Sequence, residues 1–106
     1  MDHRETGSVA STDDEIALIR ERIDRIDEQL VALLAARYAA TLAVLSLKRA
    51  RGLQARDLDR EQAIAHRAET LATGTLPSGV ARKLILVIVD VLRKEAHFAL
   101  GWYARN

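Results

Sequence analysis

The sequence predicts an all-α protein of three helices, one long and two shorter, and three observations support this. From Ile16, apolar residues recur at heptad spacing: Ile16, Ile19, Ile23, Ile26, Leu30 and Leu33, then Ala40, Val44 and Leu47. That is the period of a helix that pairs with another helix. Ala, Leu, Arg and Glu dominate the composition, as in helical proteins. The single proline, Pro77, and all five glycines lie outside the strongly periodic runs, where they end helices rather than break them.

Residues 1–12 are polar and read as a disordered N-terminal tail, with a helical domain over residues 13–106. The tail lacks the apolar core of a signal peptide, and no run approaches a membrane span. The expected location is therefore the cytoplasm, with no membrane partner. Helix 1 runs from about Asp13 to Arg51, capped by Ser11, Thr12 or Asp13 and stopped at Gly52. Its length is about 57 Å at the standard helical rise. So small a domain cannot bury such a rod within itself, which points to pairing with a second chain.

A short loop follows, Gly52-Leu53-Gln54-Ala55-Arg56. Helix 2 runs from about Asp57 to Ala72, with Asp57 or Asp59 as its cap, and Gly74 ends it. Leu76-Pro77-Ser78 opens helix 3, because proline suits a first turn. Helix 3 continues to about Tyr103, and Val80, Leu84, Val87, Ile88, Val91 and Leu92 are dense enough for burial on more than one side. Trp102 and Tyr103 read as a C-terminal packing anchor.

Composition excludes several functions. The 106 residues suffice for one small domain. A formal net charge of +1 argues against nucleic-acid binding, which needs a basic excess. No cysteine is present, and His3, His66 and His97 have no metal-ligand spacing. Neither a metal nor a cofactor is expected.

Three cations break the apolar seam of helix 1. Arg37 occupies a seam position, and Arg20 and Lys48 lie beside it, four heptads apart. A buried cation is costly unless it is paired. With no acidic residue along the same stripe, the implied partner is a bound anion. Taken alone, Arg37 also fits a snorkelling or ion-paired structural arginine. Arg37 and Lys48 are about 16 Å apart along the axis, so both side chains can reach one pocket, whereas Arg20 and Lys48 are about 42 Å apart and cannot. If two copies of helix 1 pair antiparallel, Arg20 of one chain approaches the Arg37–Lys48 stretch of the other. Two-fold symmetry then makes two equal pockets. A second cluster opens helix 2, where Asp57, Arg60 and Glu61 lie on one face. Asp57 and Glu61 can accept hydroxyl or amine protons, and Arg60 can complete an anion clamp.

Together, Arg20-Glu21-Arg22-Ile23-Asp24-Arg25-Ile26-Asp27, Leu33-Leu34-Ala35-Ala36-Arg37, Lys48 and Asp57-Leu58-Asp59-Arg60-Glu61 resemble the all-helical (AroQ-type) chorismate mutase family. The resemblance covers about residues 14 to 100. It implies an intertwined three-helix homodimer that converts chorismate to prephenate in the aromatic amino-acid (shikimate) pathway, with active sites shared between chains. Arg20 from the other subunit and Arg37 would hold the two substrate carboxylates. Lys48 would donate to the ether oxygen and a carboxylate, Asp57 and Glu61 would hold the ring hydroxyl, and Arg60 would support the carboxylate site. Lys48, Arg37 and Glu61 are the residues on which catalysis would fall.

The family's last helix carries a Gln or Glu facing the ether oxygen. Here the alignment through Ile88-Val89-Asp90 puts Leu92 and Ala96 at the relevant places, and neither side chain hydrogen-bonds. A one-residue shift would offer Glu95 or His97 as the donor, although His97 on this apolar stretch also reads as a packed residue. The departure keeps two alternatives in view. One is a mutase of 4-amino-4-deoxychorismate from an antibiotic pathway to p-aminophenylalanine, whose ring ammonium would favour acidic neighbours such as Asp57 and Glu61. The other is a non-catalytic or partner-activated dimerisation module, whose cations pair with carboxylates across the dimer.

Overall fold

The computed structural model describes the backbone of residues 3–102 and the side chains of residues 11–102. It contains three helices, α1 (His3–Ala50), α2 (Leu58–Leu71) and α3 (Val80–Ala99), and no strand among the described residues. The expected all-α class and the one-long, two-shorter pattern both hold. α1 starts at His3, ahead of the expected Asp13. The expected tail over residues 1–12 falls mostly on residues whose side chains lie outside the description, and Tyr103 lies outside it altogether.

The chain divides into two compact units, residues 1–36 and 37–106. In the first, every described side chain from Thr12 to Leu33 is exposed, including Ile16, Ile19, Ile23, Ile26 and Leu30. Among the described residues, the expected seam is uncovered. Against the expectation that no run approaches a membrane span, α1 contains a stretch long and apolar enough, by length and composition alone, to cross a bilayer.

The second unit begins with the last turns of α1. These end where the sequence places the stop: Leu53 N–H donates to the Lys48 carbonyl at 2.8 Å and Gly52 N–H to the Arg49 carbonyl at 3.2 Å. This paired C-cap needs a left-handed residue, and Gly52 supplies it with φ of 68°. Asp57 caps α2 as expected, its Oδ1 accepting from the Arg60 N–H at 3.0 Å. α3 opens later than expected. Pro77 sits in the preceding turn, its carbonyl accepting from Val80 N–H, and Gly79 with φ of 83° forms the N-cap. The left-handed glycine reverses the chain before the helix can begin, which moves the start three residues past the proline.

Only α2 and α3 pack closely among the described residues. Ala65, Val89 and Ala96 are buried on them, and Arg82 ties the pair by donating to Glu69 and Gln62, each at 3.1 Å. Leu45 of α1 completes the small set of buried apolar residues. The Arg49 guanidinium donates to the Leu100 carbonyl, which fastens the end of α1 to the end of α3.

Candidate active site

The end of α1 approaches α2 and α3 less closely than these two approach each other, and the gap is a cavity of about 320 Å³. That is the lower range of ligand pockets. Its α1 wall is Arg37, Thr41, Val44 and Lys48, spaced so that they share one helix face. The opening turn of α2 brings Asp57, Arg60 and Glu61, and α3 brings Val89 and Arg93. The cavity thus gathers Arg37, Lys48, Asp57, Arg60 and Glu61 in one place. Arg20 is exposed and is not among the lining residues.

Local bonds hold these groups in position. Thr41 Oγ1 donates to the Arg37 carbonyl at 2.9 Å. Lys48 Nζ donates to the Ala55 carbonyl at 3.2 Å, so a loop carbonyl steadies the ammonium without neutralising it. Asp57 is engaged as the cap of α2. Among the described residues, Arg37, Lys48 and Arg60 have no ion-pair partner, although all three face one cavity.

Glu61 is different. Its side chain is only 14% exposed, and Arg56 holds it through both carboxylate oxygens, Nε to Oε2 and Nη2 to Oε1, each at 3.1 Å. The hydrogen bond to Glu61 and then its charge raise the Arg56 pKa above its ordinary value. Arg93 Nε lies 3.8 Å from the same Oε2, beyond hydrogen-bond reach, and is buried with no hydrogen-bond partner. Arg93 Nη2 donates to Asp90 Oδ1 at 2.8 Å, and Lys94 Nζ lies 3.1 Å from Asp90 Oδ2. The Lys94 hydrogen bond, then the charges of Lys94, Arg93 and Arg56, hold the Asp90 carboxyl below the usual carboxylate range against the opposing effect of burial.

The expected donors on α3 are not brought to this cavity. Leu92 is half-buried, Ala96 is buried and Glu95 is exposed, and none of the three lines it. Val89 and Arg93, one turn apart, line it instead. His97 lies against a neighbouring cavity of about 740 Å³, with Nε2 buried and unpartnered and its ring stacked 4.9 Å from that of Trp102. That cavity is larger, but its cations are already engaged. Arg49 binds Leu100, Arg56 binds Glu61, and Arg93 and Lys94 bind Asp90. Volume alone therefore does not mark the better anion site.

Arg93 is the charged lining residue that the sequence motifs alone do not single out. The signal for Arg93 was present: Ile85, Val89, Arg93 and Ala96 form an i, i+4, i+8, i+11 stripe in which it alone is polar. The same logic singled out Arg37 on α1.

The sequence matches the family described as chorismate mutase type II over residues 19–97, most of the chain. The chain belongs to the type II chorismate mutase family. As a chorismate mutase it is an isomerase, and its reaction is the rearrangement of chorismate to prephenate in aromatic amino-acid synthesis. No curated protein and no solved structure matches the chain significantly. A chorismate mutase needs no nucleophile. A [3,3] rearrangement breaks one C–O bond and forms one C–C bond within a single molecule. It needs the dianion held in its compact form and positive charge where the breaking bond gathers electrons.

Proposed function

We propose that chorismate binds in the 320 Å³ cavity of a homodimer and that each cavity is completed by Arg20 of the second chain. The observation that carries this reading is the set of three cations, Arg37, Lys48 and Arg60, that face one cavity without acidic partners. A dianion supplies the missing charge. Arg37 and the partner's Arg20 hold the two carboxylates, with Arg60 in support. Lys48 donates to the ether oxygen, where negative charge grows as the bond breaks, so its interaction is stronger in the transition state than in the ground state. Asp57 and Glu61 orient the ring hydroxyl. Glu95 has no part in this arrangement, and His97 could act only from the neighbouring cavity.

The dimer is supported by the exposed seam on α1 together with the small core of one chain, since few buried apolar residues cannot hold so small a domain alone. We read the apolar stretch of α1 as the surface for a second chain and not for lipid, and the location as cytoplasmic. Arg37 lies inside that stretch, where a bilayer would penalise it heavily. A rate assay of purified protein with chorismate tests the site, paired with melting in the presence of a bicyclic transition-state mimic. Turnover and a raised melting temperature are expected. No loss of chorismate and no prephenate formed, with no shift in melting, would sink the assignment.

A further inference from the structure

We infer that Arg93, with Arg56, sets which 4-substituent the enzyme accepts: it admits the neutral ring hydroxyl of chorismate and rejects the ring ammonium of 4-amino-4-deoxychorismate. This rests on the site assignment above, in which Glu61 meets the substituent at that ring position.

Glu61 alone would favour an ammonium, because a carboxylate in a partly dry pocket attracts a cation. The carboxylate is not alone. Arg56 grips both its oxygens, and Arg93 Nε stands 3.8 Å from Oε2. Two guanidinium groups on one carboxylate leave that corner of the cavity with a net positive charge. The nearest further acid, Asp90, does not reverse the sign, since it is shared between Arg93 and Lys94. Asp57 keeps its negative charge while it caps α2, but Lys48, Arg37 and Arg60 outweigh it on the remaining walls. An ammonium placed beside Glu61 would meet like charges on most sides. A hydroxyl meets no such cost and can still donate to a Glu61 oxygen, because each carboxylate oxygen accepts more than one hydrogen bond.

Arg93 is the adjustable member of this trio. Arg56 satisfies its guanidinium on Glu61, whereas the Arg93 Nε–H is buried and bonds to nothing among the described residues. Arg93 also lines both the site and the neighbouring 740 Å³ cavity. Its side chain is therefore a shared wall whose charge faces the site.

The test compares kcat/KM for chorismate and for 4-amino-4-deoxychorismate in the wild type and in Arg93→Gln, Arg93→Lys and Arg56→Gln, with melting curves to establish folding. The wild type should favour chorismate by on the order of tenfold or more, the size of one unit-charge repulsion a few Å away in a wet pocket. Arg93→Gln and Arg56→Gln should narrow the ratio. Arg93→Lys, which keeps the charge, should restore much of it, which a merely structural role would not produce. A wild type that prefers the amino compound would overturn the inference, as would a ratio unmoved in both glutamine variants. Turnover of neither substrate by folded wild-type dimer would instead sink the site assignment, and the inference with it.

Discussion

Residues 11–36 bury no side chain, whereas residues 37–102 hold Leu45, Ala65, Val89 and Ala96 in their interior and enclose a charged cavity. Both regions are rich in apolar residues, so composition does not separate them. The difference lies in where the apolar residues find cover. In the second region, α2 and α3 turn back on each other and shield a few small side chains. In the first, the described side chains from Thr12 to Leu33 are all exposed, and Ile16, Ile19, Ile23, Ile26 and Leu30 stay about half exposed at heptad positions. Arg20 belongs to the first region and is not among the residues that line the cavity.

The sharpest way to break that comparison is to spoil the seam. Ile23→Asp should disrupt chain pairing by several kcal/mol, because it would bury an unpaired carboxylate at the proposed interface. Analytical ultracentrifugation should then show monomer, with activity lost, while the same change on a surface that no chain covers would leave the mass unchanged. Next comes the pocket. Arg37→Ala should lower kcat/KM by on the order of a hundredfold to a thousandfold, as for removal of one preorganised transition-state contact. The dimer should persist by the same ultracentrifugation, since Arg37 has no ion-pair partner among the described residues.

Smaller effects separate structure from chemistry within the second region. Asp57→Ala should cost about 1 kcal/mol of stability through loss of the α2 cap, whereas Asp57→Asn should keep the cap. A melting temperature lowered in the alanine variant alone, with both variants impaired in turnover, would separate the two roles of Asp57. The smallest effect concerns Asp90. Its folded pKa lies below its unfolded value, first through Lys94, so its stabilisation is present above the unfolded carboxylate pKa. It fades as pH falls through the folded value. Melting of wild type and Asp90→Asn should therefore differ slightly near neutral pH and converge in acid, below about pH 4. A gap that widens in acid would contradict that sign.

Local signals in the sequence carried much of this architecture. The Asp57 cap, the stop at Gly52 and the heptads of α1 are written in residue type and spacing, and those features hold in the structure. The start of α3 differs from the expected one because proline suits both a first helical turn and the turn before one, and the left-handed Gly79 decides between them. The apolar stretch of α1 is hard to read from residue order because Arg37 interrupts it without removing its average apolarity. Around the cavity, Arg37, Lys48, Asp57, Arg60 and Glu61 were legible because each is a polar residue at a telling register. The Arg56–Glu61–Arg93 cluster was not, since it joins a loop, α2 and α3, and such pairing depends on how the helices are set beside each other.

The central claim is that each site takes residues from two chains, and mixing inactive variants tests it most directly. Arg20→Ala and Lys48→Ala should each be inactive alone. After unfolding and refolding together, the mixed dimer should regain one working site, with Lys48 from one chain and Arg20 from the other. Recovered turnover in the mixture, and in neither parent, is the predicted result. A mixed dimer, verified by mass, that stays as inactive as its parents would contradict the shared site.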